Sequence, residues 1–340
     1  MRANEVPTEE ITRDPAAFAD RVTADGRFGR AAEPGRYRLV VNRACPWAHR
    51  TVIVRRLMGL EDAVSLAVTD PRQEVIDGDP HWVFTEETGS PGGVDPVLGI
   101  HALREAYLAR DPGYTGGVSV PGLVDTATGH LATNDYDRLC LDMATEWGPL
   151  TREGAPDLYP EPLREEIEAV GAEVYRDLNN GVYRAGFAPD QEHYDRAVAG
   201  VFARLDDLEA RLSSRRYLVG ETLTMADIRL FTTLVRFDAV YHGHFKCNIA
   251  KLIEYPALWA YARDLFQTPG FGDTTHFDHI RVHYYWVHTG INPTRVVAAG
   301  PDPQGWLAPH GREALGGSPF GEGTAPGPVP EGERVPAIAD

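Results

Sequence analysis

A strand that must turn sharply into a helix is written into residues 37–58. Tyr37-Arg38-Leu39-Val40-Val41 is an apolar run, and Thr51-Val52-Ile53-Val54-Arg55-Arg56-Leu57-Met58 is an amphipathic one. Between them stand Cys45-Pro46-Trp47-Ala48-His49-Arg50. Proline suits the first helical position, because its missing N–H has no intrahelical partner there. The spacing predicts strand, tight turn and helix, with Cys45 at or next to the N-cap. Free N–H groups and the positive end of the helix dipole favour a thiolate at that point, and the thiolate is the nucleophilic form. Ala48 stands where the second cysteine of a Cys-x-x-Cys pair would be, so Cys45 cannot close a local disulfide. If it reacts, it forms a mixed disulfide that an outside thiol resolves. The competing reading is a small buried residue, as free cysteines often are. Strand, proline and helix agree on one geometry, which favours the reactive reading.

The rest of the composition sets bounds. With 340 residues, 43% apolar and 24% charged, the chain reads as globular with two domains. A net charge of −17 and the lack of a basic stripe argue against a nucleic-acid surface. The N-terminal residues carry no apolar stretch of a signal peptide, and no run is long enough to span a membrane. Three cysteines make no disulfide framework. The expected compartment is a reducing cytoplasm. Only two of the 33 Lys and Arg residues are lysines, Lys246 and Lys251. Arg, Ala and Gly have GC-rich codons, which points to a high-GC bacterial genome.

The expected fold class is α/β followed by all-α. Residues 1–35 read as a polar extension that wraps a surface, 36–150 as an α/β domain, 151–313 as a helical domain, and the Gly/Pro/Glu-rich 314–340 as a disordered tail. A second strand is predicted over 63–68, then a long loop from Asp70 to Gly99 around Trp82-Val83-Phe84, of the kind that is often functional. A short helix is expected over 100–109. Residues 117–125 read as a strand carrying Pro121, which a central strand would exclude. Helices are predicted over 161–180, 190–213, 257–266 and 276–288 from apolar spacing. Thr224-Met225-Ala226-Asp227 fits a capping box, with Asp in place of Glu.

A cysteine at the first helix, a Val-Pro before a hairpin and a helical second domain with a capping box describe the glutathione-transferase fold. Its N-terminal domain is thioredoxin-like. A closer resemblance is carried by Cys45 to Arg50, Asp157-Leu158-Tyr159-Pro160, Asn179-Asn180-Gly181-Val182-Tyr183, Ala185-Gly186-Phe187-Ala188, Arg229 to Asp238, His244-Phe245-Lys246-Cys247, Phe277-Asp278-His279-Ile280-Arg281, Ile291-Asn292-Pro293-Thr294 and Trp306-Leu307-Ala308-Pro309-His310-Gly311. These segments resemble the glutathionyl-hydroquinone reductases, the xi-class, Cys-type glutathione transferases, over roughly 36–312. The resemblance implies that a Cys45 thiolate attacks the sulfur of a glutathionyl-hydroquinone and expels the hydroquinone, after which a second glutathione restores the thiolate. It places the two substrate-site tyrosines at Tyr183 and Tyr284, where a phenol O–H donates to the hydroquinone oxygen. It implies backbone bonds to the thiol cosubstrate from Val120, a cis Pro121, a Trp82 that covers the thiol, and a homodimer. The competing reading of these aromatics is simple packing.

The chain departs from that family on the thiol side. The family's Glu-Ser at the helix after the hairpin, which holds the γ-glutamyl group, is here Asp135-Tyr136. Its basic residue before the Val-Pro strand is replaced by Gly116-Gly117, and the 70–99 loop differs. Either glutathione is still bound, mainly through Val120, or the thiol has changed. Mycothiol, which lacks a γ-glutamyl group and is typical of high-GC actinobacteria, is the expected alternative.

Two rival functions remain open. One is a transferase or isomerase acting on an aromatic natural-product intermediate without a covalent bond to Cys45. The other is a non-enzymatic module on the same fold. His242, His244 and Cys247, and His276, His279 and His283, have ligand-like spacing, but nothing completes a metal set, so no metal is expected. His49 is expected to pack rather than act as a base, and Cys140 and Cys247 to be inert.

Overall fold

The computed structural model of the chain describes residues 15–336 and 338. Its first elements are two short parallel strands, β1 (Val22–Thr23) and β2 (Arg30–Ala31). They belong to an extension that docks on the first domain. Trp147 Nε1 donates to Val22 O at 2.7 Å, and Asn134 Oδ1 accepts from Phe18 N at 2.9 Å.

The first domain is built on β3 (Tyr37–Val41), α1 (Pro46–Met58) and β4 (Val64–Val68), a parallel βαβ unit. All five residues of β3 are buried, as a central strand covered on both faces must be. Gly59 ends α1 at φ 67°, a left-handed position that glycine takes without a Cβ penalty. A second strand pair, β5 (Glu74–Ile76) and β6 (Asp79–His81), occupies part of the segment expected as loop over 70–99. After α2 (Leu103–Arg110) come β7 (Gly122–Asp125) and β8 (Leu131–Thr133). They complete a mixed sheet of order β4-β3-β7-β8, antiparallel from β3 onward. The strand expected from 117 begins only at Gly122, and the peptide from Val120 to Pro121 before it is cis. α3 (Tyr136–Thr145) then packs along α1.

The remainder is helical: α4 (Arg164–Glu173), α5 (Gly181–Gly186), α6 (Gln191–Leu212), α7 (Met225–Arg236), α8 (Pro256–Gln267) and α9 (Phe277–Val287). The capping box closes α7: Asp227 accepts from Thr224 N at 2.9 Å and from its hydroxyl at 3.0 Å. The single helix expected over 161–180 is interrupted. Residues Val174–Asn179 form a π-helix, and a second one, Phe237–Tyr241, follows α7. Such wide turns are rare and cluster at functional sites. No described helix is long and apolar enough to cross a membrane.

The tail expected to be disordered from 314 takes a defined path across both domains through its described residues. Buried and half-buried guanidiniums supply what apolar side chains do not. Arg216 Nη1 donates to Gly317 O at 3.0 Å, Arg152 Nη2 to Thr324 O at 2.6 Å and Arg56 Nη2 to Gly327 O at 2.5 Å. The buried Arg55 meets both carboxylate oxygens of Glu333 at 2.7 Å, and Arg43 reaches Glu333 O at 3.0 Å. Removing a carboxylate from a buried partner costs more than a surface pair is worth. Glu333→Ala is therefore expected to lower unfolding stability by about 1–3 kcal/mol, read as a shift in the chemical-denaturation midpoint. An unchanged midpoint would mean that the tail lies on the domain without holding it.

Candidate active site

Cys45 is the N-cap of α1, with φ −72° and ψ 121°, and Pro46 occupies the first turn. This is the end of the helix where unpaired N–H groups and the dipole favour negative charge. The half-buried sulfur lies 3.5 Å from Val120 O, directly before the cis Pro121. The other two cysteines are buried in apolar surroundings. Burial pushes the Cys140 thiol far up and the Cys247 thiol up to about 12.

The turn before Cys45 is held from the helical domain by Arg236, at the end of α7 and without solvent exposure. Its Nε donates to Ala44 O at 2.8 Å and its Nη2 to Arg43 O at 3.2 Å. Its Nη1 donates to Thr232 O at 2.7 Å and to His49 Nδ1 at 3.2 Å. Because a guanidinium only donates, His49 Nδ1 must accept. The imidazole proton is then on Nε2, which lies 2.9 Å from Thr274 Oγ1. Burial, then the Arg236 charge, hold this ring neutral. His49 has both nitrogens occupied and is a packing group.

Arg50, one turn along α1, is 1% exposed. It donates to Asn179 Oδ1 at 2.7 Å and to Asp137 at 3.3 Å, and its guanidinium lies 4.6 Å over the Trp47 ring. Asn179 Nδ2 donates in turn to Thr233 Oγ1 at 2.7 Å on α7. The π-turn at 174–179 aims Asn179 inward at this point.

Tyr183 and Tyr284 are brought together, with their hydroxyl oxygens 2.5 Å apart. Tyr241, which ends the second π-turn, places its hydroxyl 3.0 Å from that of Tyr284. Tyr284 and Tyr241 are buried, which pushes both phenols well above the usual range. Phe245 packs edge-on under Tyr183 with centroids 5.2 Å apart. It fits because Gly186 has no Cβ, which would collide with its ring.

On the thiol side, Tyr107 takes both backbone groups of Ser119, accepting from its N–H at 3.2 Å and donating to its carbonyl at 3.0 Å. The N–H of Val120 is left without a hydrogen-bond partner among the described residues. Trp82 Nε1 donates to Val118 O at 3.0 Å, and its ring stacks on His283 at 5.3 Å. His283 in turn lies edge-on to Tyr284 at 5.6 Å, and Tyr183 stacks on Trp47 at 6.4 Å. Ring contacts thus run from Trp82 through His283, Tyr284 and Tyr183 to Trp47, two residues after Cys45.

Asp135 and Tyr136 are placed differently. Asp135 is the N-cap of α3, and its Oδ1 accepts from Arg138 N at 3.1 Å. The Tyr136 ring lies 5.0 Å from Trp47, and its hydroxyl donates to Tyr175 at 3.2 Å. Tyr136 thus lines the aromatic wall beside α1. Arg236, Tyr241, Asn179 and Tyr175 are site residues that sequence reasoning did not assign. Only Arg236 carried a local signal, a guanidinium closing the apolar run 230–235. Among the described residues no group of three or more His, Cys, Asp and Glu side chains is gathered as a metal site.

Comparison with known proteins shows the family to which the chain belongs. The glutathione S-transferase C-terminal domain family matches residues 191–264. A glutathionyl-hydroquinone reductase of Escherichia coli K12 is 42% identical over 310 residues, 89% of this chain and 92% of that protein. The crystal structure of a glutathione transferase from Gordonia bronchialis is 57% identical with a TM-score of 0.90, covering 94% of this chain and 97% of that one. The glutathione-bound structure of a transferase homologue from E. coli K-12 is 43% identical with a TM-score of 0.80, covering 87% and 96%.

Three half-buried histidines on α9 face the first domain, and burial lowers all of them: His276 and His283 to about 4, His279 to about 3. Their ordinary value is 6.5. Below that pH the unfolded chain takes up protons that the folded one refuses, so their contribution is complete above 6.5 and lost as pH falls toward 4. Melting temperature is expected to fall over that interval, and less steeply in His279→Gln. A flat profile in the native protein would contradict this burial.

Proposed function

The chain belongs to the glutathionyl-hydroquinone reductases, the Xi class of glutathione transferases, and from that premise we propose that Cys45 carries its glutathione-dependent reduction through a mixed disulfide. The observation that carries this reading is the position of Cys45 as N-cap of α1, with its sulfur against Val120 O and the other two cysteines buried. A lone thiolate at a helix N-terminus has the right charge state and no resolving partner of its own.

The Cys45 thiolate attacks the sulfur of a glutathionyl-hydroquinone. An S–S bond forms and the C–S bond breaks. The electron pair of that bond stays with the ring and is spread toward its oxygens, and the ring carbon takes up one proton. A second glutathione, as thiolate, attacks the mixed disulfide, restores the Cys45 thiolate and leaves as glutathione disulfide. Tyr183, hydrogen-bonded to Tyr284, donates to the ring oxygen while charge builds there. Trp82 covers the thiol, and the N–H of Val120 binds its peptide backbone as an added strand would.

Glutathione is the cosubstrate of this reading, since it occupies the E. coli homologue. The substitutions at Asp135 and Tyr136 touch only the site expected for its γ-glutamyl end. Asp135 Oδ1 already caps α3, which places a negative charge where a carboxylate of the ligand would otherwise gain from the helix end. Mycothiol is therefore the thiol to set against glutathione in the test. The working unit is proposed to be a homodimer, as the resemblance implies.

The test uses menadione carrying either glutathione or mycothiol, with product analysis by chromatography and intact-mass measurement of the protein. Cys45→Ala is expected to lower turnover by at least about 10³-fold, as removal of a nucleophile does. A trapped adduct should sit on Cys45. Full activity of Cys45→Ala would overturn the covalent route and favour the simple transferase. Turnover of the mycothiol adduct alone would change the cosubstrate and keep the mechanism.

A further inference from the structure

The segment next to Cys45 on the thiol side has no regular structure of its own. Between α2 and β7, residues 111–121 form neither helix nor strand, and Thr115, Gly116, Gly117 and Ser119 are exposed. A glycine pair widens the choice of backbone angles, so the local sequence does not fix the path. Side chains from outside the segment do. Tyr107 on α2 is without solvent exposure. Its hydroxyl donates to Ser119 O at 3.0 Å and accepts from Ser119 N at 3.2 Å. Trp82 Nε1 donates to Val118 O at 3.0 Å, and Asn134 Nδ2 to Ser119 Oγ at 2.9 Å.

The direction of both Tyr107 bonds is fixed, because a main-chain carbonyl only accepts and a main-chain N–H only donates. One oxygen must therefore do both, which a neutral hydroxyl can and a phenolate cannot. Burial pushes this phenol up to about 12, so it stays neutral. The residue that follows Ser119 is the one turned to the nucleophile. Val120 O lies 3.5 Å from Cys45 Sγ, and the Val120 N–H has no hydrogen-bond partner among the described residues.

We propose that Tyr107 is a positioning residue for the thiol. By holding both main-chain groups of Ser119, it keeps the Val120 carbonyl at Cys45 and the Val120 N–H open to the cysteinyl amide of the glutathionyl group. The inference rests on the Cys45 reaction and the Val120 contact proposed above, and adds to them a residue that acts only through Ser119. Without the hydroxyl, the N–H and O of Ser119 turn to water and residues 118–120 take more than one path. The N–H of Val120 then meets the peptide only part of the time. Phenylalanine at this position keeps the ring contact with Phe18 at 5.6 Å and loses both bonds.

The experiment compares the native protein, Tyr107→Phe and Ser119→Ala on two menadione adducts. One carries glutathione; the other carries 2-mercaptoethanol, which has the reacting sulfur but no amide. In both cases glutathione, as thiolate, resolves the Cys45 mixed disulfide. For glutathionyl-menadione, Tyr107→Phe is expected to raise KM about 10-fold with kcat little changed, which is what one hydrogen bond to the ligand is worth. On the mercaptoethyl adduct its kcat/KM should equal the native value. Ser119→Ala, which loses only the Asn134 contact, should keep the native KM for both. An unchanged KM in Tyr107→Phe, an equal loss on both adducts, or an equal rise in Ser119→Ala would overturn the inference. Intact-mass detection of a Cys45 adduct separates it from the mechanism. If native protein and Tyr107→Phe both form the adduct and KM does not move, the inference alone falls. If KM rises as expected and neither protein forms the adduct, the covalent route falls and Tyr107 keeps its place behind the peptide site.

Discussion

One guanidinium joins the two domains into one site. Arg236 donates to the carbonyls of Arg43 and Ala44, the two residues before Cys45, from the end of a helix in the other domain. A buried charge is tolerable only when good acceptors meet its donors, and four of the five N–H groups of Arg236 have them. Two main-chain carbonyls of the turn, one of its own helix and the His49 ring provide them. Lysine has no planar fork with which to span that set. The same contact settles the chemistry of His49. With Nδ1 accepting from a cation, the ring is neutral and its proton points at Thr274. Neither nitrogen of His49 is left to act as a base on Cys45, and in the proposed reaction the Cys45 thiolate is stabilised by the helix end.

The opposite wall works with neutral donors. Tyr284 and Tyr241 are driven far from ionisation by burial, and His283 is held neutral with Nδ1 2.6 Å from Pro71 O. Phenols that do not ionise are poor bases and dependable donors. They suit a leaving group that gathers negative charge, where a fixed cation would bind the ground state as well. The site thus separates its labour. In the proposed reaction negative charge is held at the start of α1, and the neutral phenols stand on α5, the π-turn after α7, and α9.

What was legible in the sequence was local. Cys45, Pro46 and the run after them fix their own geometry within a dozen residues, and so does the Thr224–Asp227 box. The Tyr183–Tyr284 meeting was reached through resemblance, since 101 residues separate the pair. What stayed hidden pairs far apart in the chain without an apolar signal. Arg236 meets Ala44 across 192 residues and Arg55 meets Glu333 across 278. The tail looked disordered because its composition is poor in apolar groups, yet its carbonyls and one carboxylate answer buried arginines. The π-turns escaped because they keep the helical spacing of apolar residues while adding one residue to the turn. Tyr241 went unassigned for that reason: its direction depends on a widened turn that no periodicity reveals.

The departures of this chain also make physical sense in that division. In the proposed reading the thiol is received by the backbone of the 118–120 segment, which Tyr107 and Trp82 hold by hydrogen bonds. A backbone N–H does not change when neighbouring side chains do. Asp135 and Tyr136 can therefore take up other work, capping α3 and walling Trp47, without disturbing the 118–120 segment. In the proposed reaction Cys45, Tyr183 and Tyr284 act through side-chain atoms, which the main chain cannot replace. A fold built this way can change the first turn of α3 while the turn that carries Cys45 stays in place under the hold of Arg236.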